Sequence, residues 1–339
     1  MTAVLLVRMS SLGDIVHTFP AVTDLKRARP DARLHWVVEE QYVELARMHP
    51  GVDRIIPVAI RRWRGFGAGA GREAAAARAA LRDVAYDVVI DSQGLVKSAL
   101  VARNARRAAG ARVHGFGWRT AREPLASLFY QRTLNFPAST HKITRYRGLM
   151  AAANGDVADA AADSAISRSA AREIDYGLSA PPAPQWAPAR PYVVLLHSTA
   201  RAAKLWNEPA WIALARALDA CGVVCVLPFG TADEEARAQR IAAQIASAVV
   251  AARMDFVMAG GLLAHARAVV GLDTGFTHLA AAFKTPVVGV FCDSEPVDAH
   301  PVGMGPTAYC GGIGVQPAAD DVLRALARVA PALGLRASP

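Results

Sequence analysis

Short runs of β-branched and other apolar residues alternate along this chain with longer stretches rich in Ala, Leu and Arg. The short runs have the length of buried strands, and the longer stretches carry the helical period. Strands that alternate with helices in this way are typical of βαβ units and parallel sheets. The sequence therefore predicts an α/β fold built from doubly wound sheets.

Two successive sets of such units are present. The first set has predicted strands at residues 3–8, 34–39, 54–58, 87–91 and 112–116, with predicted helices at 15–29, 72–84 and 95–106. The second set has predicted strands at 192–197, 223–228, 269–273 and 287–291, with predicted helices at 208–220, 233–246, 276–283 and, last, 320–329. Each set is large enough to form a sheet of its own.

A proline-rich segment separates the two sets. Residues 180–191 read APPAPQWAPARP, which carries too many prolines for a helix or a central strand. The chain has 339 residues, and single hydrophobic cores usually stop growing beyond roughly 250 residues. We therefore predict a first domain over residues 1–179, a linker over 180–191, a second domain over 192–319 and a final helical segment over 320–339.

Composition excludes several classes of protein. With 53% hydrophobic and 20% charged residues, the chain is not disordered, fibrous or a coiled coil. The most apolar stretch, residues 269–292, is interrupted by Asp273, His278 and Lys284, so it does not read as a membrane span. The N-terminus lacks a signal-peptide pattern, and we expect a cytoplasmic protein. A formal net charge of +9 indicates an anionic partner without separating nucleic acid from phospholipid or nucleotide.

Ligands of doubly wound sheets bind beyond the carboxyl ends of the strands, and the first strand ends in a polar loop. Ser10, Ser11 and Gly13 lead into a helix that begins near Asp14. Free backbone N–H groups in such a loop can hold an anion or a substrate oxygen. Asp14 is either a carboxylate that caps the helix or a general base toward a hydroxyl. The loop is not GxGxxG, so the dinucleotide fingerprint is absent.

The first strand of the second set also ends in polar residues. His197, Ser198 and Thr199 follow the apolar run, and Arg201 and Lys204 come next. Hydroxyls and cations at a strand-to-helix junction supply the donors that a diphosphate needs. An ordinary loop with exposed cations is the alternative.

Two later strand ends have a similar character. Glu234 opens a helix, where it is either a partner of the helix dipole or a ligand of ribose hydroxyls. Asp273, Thr274 and Gly275 end another strand, and His278 lies four residues beyond Thr274. The glycine allows backbone N–H groups to approach a ligand closely. A helix cap at Asp273 and a buried imidazole at His278 are the structural alternatives.

Several blocks of the sequence are long enough to be recognised together. These blocks are SSLGDIVHTFPA, WVVEE, IPVAIRRWR, DSQGLVKSA, TAREPLASLFY and LDTGFTHLAAA. From the first strand to about residue 295, the chain resembles the ADP-heptose glycosyltransferases of family 9. The resemblance implies the GT-B fold, in which two Rossmann-like domains face each other across a cleft, with the acceptor on the first and the nucleotide sugar on the second. It also implies that the last helix crosses back onto the first domain.

Members of this family move L-glycero-D-manno-heptose from ADP-heptose to a Kdo hydroxyl of Kdo2-lipid A, with inversion at the anomeric carbon, in assembly of the lipopolysaccharide inner core. By resemblance, Asp14 would be the base. The implied donor site comprises Ser198, Thr199, Lys204, Glu234, Met254, Asp273, Thr274, Gly275 and His278. Within it, Thr199 and Lys204 would hold the diphosphate, and Glu234 the ribose. The family usually has a second threonine after the first, whereas this chain has Ala200. Either one phosphate donor is missing, or Ser198 or Arg201 would substitute.

The resemblance also implies a binding site for the acceptor that contains several arginines. The implied acceptor site comprises Arg61, Arg62, Arg64, Arg122, Ser10, Ser11 and Gly13. Guanidinium groups match phosphate and carboxylate oxygens, although a solvated basic face is the alternative. The same cations would favour docking to the anionic inner membrane, by about 1 kcal/mol per residue near the surface, which implies a peripheral protein on its cytoplasmic face. No metal or cofactor is expected, because Lys204 and backbone N–H groups can neutralise the departing diphosphate.

Three other functions stay open. A sister enzyme that adds the second heptose would share the donor motifs and differ in its acceptor. A nicotinamide-dependent oxidoreductase would use Rossmann-like domains, yet the glycine fingerprint is missing. A nucleic-acid-binding module is suggested by charge alone, and we expect no nucleic acid partner.

Overall fold

The computed structural model describes residues 1–65, 69–155 and 173–335. The chain divides into two units, Met1–Gly177 and Leu178–Pro339. The division falls two residues before the predicted end of the first domain, and the proline-rich residues 180–191 belong to the second unit. Residues 336–339 of the predicted final segment lie outside the described residues.

The first unit is a parallel sheet with helices. Its strands are β1 (Ala3–Val7), β2 (Arg33–Glu39), β3 (Arg54–Val58), β4 (Tyr86–Asp91), β5 (Arg107–Phe116) and β6 (Arg132–Leu134). Its helices are α1 (Leu12–Ala28), α2 (Val43–Arg47), α3 (Ile60–Trp63), α4 (Ala70–Asp83), α5 (Val96–Asn104) and α6 (Lys142–Ala153), with 3₁₀ helices at Glu40–Tyr42 and Pro124–Phe129. The strand order is β3-β2-β1-β4-β5-β6. This is the Rossmann order, and its direction reverses between β1 and β4.

The second unit repeats this plan. Its strands are β7 (Tyr192–Leu196), β8 (Val224–Leu227), β9 (Val249–Val250), β10 (Ala268–Leu272), β11 (Val287–Phe291) and β12 (Thr307–Gly311). Its helices are α7 (Glu208–Ala220), α8 (Ala232–Ala242), α9 (Phe256–Ala264), α10 (Gly275–Ala282) and α11 (Ala319–Val329), with 3₁₀ helices at Ala202–Lys204 and Pro331–Leu333. The order β12-β11-β10-β7-β8-β9 is the same Rossmann order read from the opposite edge. Its direction reverses between β7 and β10.

The predicted α/β class with two doubly wound parallel sheets is confirmed. Each of the nine predicted strands is present within a few residues of its predicted bounds. The sequence interpretation missed β6, β9 and β12, which lie at or next to sheet edges and lack a long apolar run. It also missed helices α2, α3, α6 and α9. In α6 the buried positions include the polar residues Tyr146 and Arg147, so the sequence does not show a regular apolar face.

Each unit has its own hydrophobic core. In the first unit, strand residues such as Val7 and Val89 pack with Ala99 and Ala102 of α5. In the second unit, the sheet packs against a larger aromatic group, in which the rings of Trp206 and Trp211 meet edge to face with centroids 4.9 Å apart. Continuous apolar strands of this kind are typical of parallel sheets that are covered on both faces.

The last helix, α11, contributes to the core of the second unit. Its buried positions are Val322, Ala325, Leu326 and Val329, which follow the helical spacing of one apolar face. The helix packs against α7, β11 and β12 of the same unit. The apolar face of α11 is therefore buried within the second unit, and its crossing onto the first domain stays a prediction.

The most apolar stretch of the sequence, residues 269–292, folds as a strand, a helix and a strand. Asp273 and Lys284 lie at the junctions between β10, α10 and β11, where polar residues divide the stretch into short elements. Within the described ranges, no helix combines the length and the apolar character needed to cross a membrane.

The packing of α11 is testable by truncating one leucine. Leu326 is fully buried, so Leu326→Ala should lower the free energy of unfolding by about 2–5 kcal/mol through lost contacts and a cavity. Arg324→Ala on the exposed side of the same helix should change it by less than about 0.5 kcal/mol. Urea denaturation measures both, and equal small effects would contradict the assignment of this helix to the core.

Candidate active site

The sequence places Asp14 directly beyond β1, and in the structure its two carboxylate oxygens have different partners. Oδ2 accepts hydrogen bonds from the backbone N–H of Ser11 at 3.4 Å and from the Ser11 hydroxyl at 3.1 Å. Oδ1 accepts a hydrogen bond from the Tyr146 hydroxyl of α6 at 3.0 Å. The helix cap that the sequence allowed is therefore formed by one oxygen, while the other faces a tyrosine that the sequence interpretation missed.

The surroundings of Asp14 keep it ionised. Burial by itself raises the pKa of this carboxyl group, but the charges of Arg8 and Lys142 and the hydrogen bonds from Ser11 and Tyr146 outweigh it. The pKa of Asp14 is consequently held below its ordinary value of 3.8. At neutral pH the group is a largely buried carboxylate that can accept a proton.

Arg8, the residue after β1, connects three groups at this point. Its Nε donates to the Ser92 hydroxyl at 3.2 Å, and its guanidinium carbon lies 4.3 Å from the centroid of the Tyr146 ring. One of its terminal nitrogens lies 4.0 Å from Oδ2 of Asp14. Because Arg8 is buried, it needs such partners to offset the loss of its hydration.

Asp91, at the end of β4, holds the neighbouring turn. It is fully buried and accepts hydrogen bonds from the hydroxyls of Ser98 and Tyr130, each at 2.7 Å, and from the Gln93 N–H at 2.8 Å. Burial raises the pKa of Asp91 in spite of these donors. The Gln93 side chain in turn accepts from the Met9 N–H at 2.8 Å, which fixes the ends of β1 and β4 to each other.

The remaining loop residues predicted at this end lie beside Asp14. Ser10 and Gly13 are half-buried and Ser11 is exposed, and the Gln93 side-chain amide reaches the Ser10 hydroxyl at 3.4 Å. The structure thus brings Ser10, Ser11, Gly13 and Asp14 together where the strand order reverses, which is the usual ligand position in this fold.

The three clustered arginines differ in their surroundings. Arg61 and Arg64 have exposed side chains. Arg62 instead donates to Glu40 at 3.1 and 2.9 Å and to Glu73 at 3.0 Å. Its charge is therefore matched by two carboxylates, and it connects α3 to α4 and to the segment after β2. This is a role that the sequence interpretation, which grouped it with the acceptor contacts, did not foresee.

Arg122 lies beside Gly94, in the turn that follows β4. Its side chain is exposed, and its backbone packs over Gly94, where an added Cβ would lie 3.3 Å from the Arg122 nitrogen. The next residue, Glu123, donates its N–H to the Gly94 carbonyl at 2.9 Å and accepts from the Val96 N–H at 2.7 Å. A tight backbone fit thus holds this arginine in place.

Glu39 is a further group that the sequence interpretation missed. It ends β2 beside β1 and is buried, and its burial raises its pKa, although Lys97 and Arg61 act in the opposite direction. Within the described residues, its Oε1 has no hydrogen-bond partner. Its place in WVVEE, one of the blocks that carry the family resemblance, was the available signal.

In the second unit, Lys204 and His278 converge on Asp273. The Lys204 ammonium donates to Asp273 Oδ2, and His278 Nε2 lies 3.8 Å from Asp273 Oδ1. Burial raises the pKa of Asp273, but hydrogen bonds from His278 and Lys204 lower it well below its ordinary value. The predicted residues at the end of β10 and after β7 therefore form one charge-balanced cluster.

The end of β7 continues this cluster. His197 is fully buried, and its Nδ1 lies 2.9 Å from the Ser198 hydroxyl. Thr199 is half-buried, while Ala200 and Arg201 are exposed. The Ser198 hydroxyl is therefore already oriented by an imidazole. Within the part of the chain that the structure describes, the Thr199 hydroxyl has no hydrogen bond to another residue.

Helix α10 begins at Gly275, immediately after Asp273 and Thr274. Thr274 makes no side-chain hydrogen bond to the helix N-terminus; its hydroxyl lies 3.3 Å from that of Thr277. The first-turn N–H groups of the helix are thus not capped by this residue, and such groups can hold an anion. Gly271 in β10 leaves room for Thr277, since a Cβ there would lie 2.3 Å from its hydroxyl oxygen.

Glu234 has the structural role that the sequence allowed as an alternative. Its Oε2 accepts from the N–H groups of Gly230 and Thr231 at 2.7 and 3.1 Å, and its own N–H donates to the Thr231 hydroxyl at 3.3 Å. This is a capping box at the start of α8, so one carboxylate oxygen is engaged. Met254 is half-buried in the segment before α9.

Side chains of His, Cys, Asp and Glu bind metal ions when several of them lie close together. Over residues 1–65, 69–155 and 173–335, no three His, Cys, Asp or Glu side chains are grouped as a metal site. The charged groups of both strand-end clusters are instead paired with other protein side chains.

Comparison with known proteins links these features to one family. The family model described as glycosyltransferase family 9 (heptosyltransferase) matches residues 74–322. Lipopolysaccharide heptosyltransferase 1 of Salmonella typhimurium is 41% identical over 296 residues, which cover 86% of this chain and 89% of that protein. The enzyme of the same name from Pseudomonas aeruginosa is 41% identical over 295 residues, covering 86% of this chain and 79% of that protein.

Solved structures give the same result. The Escherichia coli heptosyltransferase WaaC with ADP superimposes with a TM-score of 0.83 at 36% identity, covering 97% of this chain and all of that chain. A complex of WaaC with ADP-2-deoxy-2-fluoro heptose gives 0.80 at 37% identity over 96% of this chain and 99% of that one. Escherichia coli heptosyltransferase II, at 20% identity and a TM-score of 0.75 with 98% and 99% coverage, shares the fold. The predicted GT-B fold class is confirmed.

The buried His197 should make stability depend on pH. Burial, reinforced by the charge of Arg237, lowers its pKa to about 4 from the ordinary 6.5. The unfolded chain therefore binds a proton between pH 6.5 and 4 that the folded chain does not. The stabilisation is complete above pH 6.5 and decreases toward pH 4, by about 1–3 kcal/mol for this group.

Urea unfolding across this pH range should show a shallower slope for His197→Gln than for the wild type. His265→Gln, at an exposed histidine of the same unit, should retain the wild-type slope. An unchanged slope in His197→Gln would contradict a neutral, buried imidazole at the end of β7.

Proposed function

Because this chain belongs to glycosyltransferase family 9, the heptosyltransferases, we propose that it transfers L-glycero-D-manno-heptose from ADP-heptose to a Kdo hydroxyl of Kdo2-lipid A. In this proposal it adds the first heptose of the lipopolysaccharide inner core and inverts the anomeric carbon. Its relatives named lipopolysaccharide heptosyltransferase 1 support the reaction. WaaC structures with ADP and with an ADP-heptose analogue support the donor.

The ionised carboxylate of Asp14 is the observation that carries the proposal. Family members that invert configuration in one step need a base for the attacking hydroxyl, and a carboxylate without a proton can serve. Tyr146 and Ser11 orient the two oxygens of Asp14, and the charge of Arg8 keeps the group ionised. An orientation held by three neighbours reduces the reorganisation that the reaction requires.

The proposed reaction is a single in-line displacement. Asp14 takes the proton of the Kdo hydroxyl, and the hydroxyl oxygen forms a bond to the anomeric carbon of the heptose. The bond from that carbon to the diphosphate oxygen breaks, and its electron pair leaves with ADP. Because attack and departure occur on opposite sides of the carbon, its configuration inverts.

The second unit supplies the groups for the departing diphosphate. We place Thr199, Lys204 and the first-turn N–H groups of α10 on the phosphates, with Gly275 allowing close approach. Lys204 is paired with Asp273, so it would turn from a carboxylate to a phosphate when the donor binds. The free oxygen of Glu234 would contact the ribose, Met254 would flank the adenine, and neither a metal nor a cofactor takes part.

The first unit supplies cations for the acceptor. Arg61, Arg64 and Arg122 are exposed, and we assign them to the phosphates and carboxylates of Kdo2-lipid A. Arg62 would act chiefly by holding α3 in place through its two glutamates. A glycolipid acceptor also places the enzyme at the cytoplasmic face of the inner membrane, where basic residues favour an anionic surface.

The sister reaction, addition of the second heptose, is the alternative that the donor half cannot exclude. Both reactions would use the same β7 and β10 strand ends, so the acceptor distinguishes them. A nicotinamide-dependent oxidoreductase has less support, because the loop after β1 carries Ser10, Ser11 and Asp14 instead of the glycine fingerprint.

ADP release tests both the base and the acceptor. The wild type should turn over with ADP-heptose and heptose-free Kdo2-lipid A, and Asp14→Asn should lose about 10²–10⁴-fold in kcat because the hydroxyl keeps its proton. ADP-heptose binding, measured by calorimetry, should be retained in that variant because Asp14 lies in the other unit.

Asp24→Asn provides the matched control, since Asp24 lies on the same helix and binds Arg147 away from Asp14. It should keep kcat within a few-fold of the wild type if it folds. Turnover only with an acceptor that already carries one heptose would assign the protein to the sister reaction. Loss of donor binding or of folding in Asp14→Asn would refute the base assignment.

The arginines can be separated by kinetics. Arg61→Gln and Arg64→Gln should each raise the KM for Kdo2-lipid A about tenfold, as expected when one charged contact is lost. Arg62→Gln removes the same charge but should raise this KM less, because its guanidinium already binds Glu40 and Glu73. The KM for ADP-heptose should stay constant in all three, and an equal rise for Arg62→Gln would contradict its separate role.

A further inference from the structure

The exposed apolar side chains of the first unit are concentrated in one segment. Apart from Met1, the large hydrophobic side chains described as exposed in this unit all lie between residues 100 and 128. They are Leu100, Trp118, Leu125 and Leu128, with 47%, 55%, 57% and 70% of their surface exposed. Single exposed leucines are ordinary, but a concentration of this kind marks an interaction surface.

The two most exposed leucines lie on a short, firmly held helix. Leu125 and Leu128 are three residues apart in the 3₁₀ helix Pro124–Phe129, and side chains at this spacing lie on the same side of such a helix. Between them, Ala126 is fully buried. The following residue, Tyr130, is anchored to Asp91 by its hydroxyl at 2.7 Å. The leucines are therefore presented to solvent by an anchored element.

The same segment has a net charge close to that of the whole protein. Residues 97–132, which we call the β5 flank, contain eight basic residues and one acidic residue, a net charge of +7 against +9 for the whole chain. The basic residues are Lys97, Arg103, Arg106, Arg107, Arg112, Arg119, Arg122 and Arg132. The acidic residue, Glu123, is engaged with the N-terminus of α5. The 3₁₀ helix packs against both helix α5 and strand β5, so apolar and cationic groups share this region.

We propose that the β5 flank docks on an anionic phospholipid surface. Leu125 and Leu128 enter the acyl region, Trp118 lies at the headgroup level, and the arginines contact the lipid phosphates. A surface that combines exposed leucines with basic residues is suited to a membrane interface, because arginine keeps its charged end in water while its stem contacts apolar groups. Each basic residue near an anionic surface strengthens binding about fivefold.

The proposal deepens the proposed function and rests on it for the identity of the acceptor, which is a membrane glycolipid. Arg122, which we assign to the acceptor, lies three residues before Leu125 in the same segment. Docking through the β5 flank would therefore bring the acceptor-binding part of the first unit to the surface that contains the acceptor. A net charge of this size makes a second copy of the same flank an unfavourable partner.

Vesicle flotation of the full-length protein tests the docking surface. The wild type should float with vesicles of phosphatidylethanolamine and phosphatidylglycerol, bind phosphatidylcholine vesicles more weakly, and be released by salt. Leu125→Ser/Leu128→Ser should weaken partition to the anionic vesicles about tenfold or more. Ile313→Ser/Val315→Ser is the matched control, since these residues of the second unit are 64% and 48% exposed, and it should bind like the wild type.

A second pair of variants tests the charge. Arg103→Gln/Arg119→Gln removes two exposed cations and should weaken binding to anionic vesicles while leaving binding to phosphatidylcholine unchanged. Because these arginines are on the surface, this variant also decides the proposal if the leucine variant fails to fold. If either folded variant binds anionic vesicles as strongly as the wild type, the proposal is overturned. It is also overturned if ultracentrifugation shows self-association of the wild type that the leucine variant loses while its vesicle binding is unchanged.

Turnover separates this proposal from the proposed function. With ADP-heptose, the leucine variant should lose about tenfold in kcat/KM on acceptor embedded in anionic vesicles and keep wild-type activity on the deacylated, water-soluble acceptor. Equal loss on both acceptors in a folded variant would place the leucines in catalysis and overturn the docking role. If the wild type uses neither acceptor, the proposed function fails, while flotation still decides the docking surface.

Discussion

A buried guanidinium at the end of β1 determines much of the first unit's chemistry. Only 3% of the surface of Arg8 is exposed, and a charge in such a position is tolerated only when its neighbours replace the lost hydration. The hydroxyl of Ser92, the ring of Tyr146 and the carboxylate of Asp14 provide this replacement. The same contacts lower the pKa of Asp14 and fix its direction, so the requirement of one buried cation positions the proposed base.

The two strand-end clusters balance their charges differently. In the second unit, Lys204 and Asp273 already neutralise each other, and a diphosphate would have to compete with the carboxylate for the ammonium. In the first unit, Arg61 and Arg64 are exposed, whereas Arg62 is paired with Glu40 and Glu73. In the proposed reaction, the closed ion pair would bind the compact diphosphate of the donor, and the exposed guanidinium groups would bind an acceptor with several anionic groups.

Sequence patterns predicted the sheets well, because buried parallel strands appear in a sequence as short, continuous apolar runs. They also located the polar strand ends, since residues such as Asp14 and Asp273 interrupt apolar runs. They did not reveal the contacts made across the fold. Tyr146 lies 132 residues from Asp14, and nothing local in α6 marks it as a partner. Likewise, Arg62 is paired with Glu73 of the next helix. In the sequence Arg62 stands among other arginines, and this pairing is not visible there.

The same strand order occurs in both units, and each sheet contributes to a separate hydrophobic core. Mutations that disturb the packing of one core, such as those near Trp211 or Val89, should act first on the unit that contains them. Loops of one unit can therefore change without replacing any residue of the other unit's core. A chain with this architecture is well suited to diversify one of its two specificities at a time, which is a route by which related enzymes diverge after gene duplication.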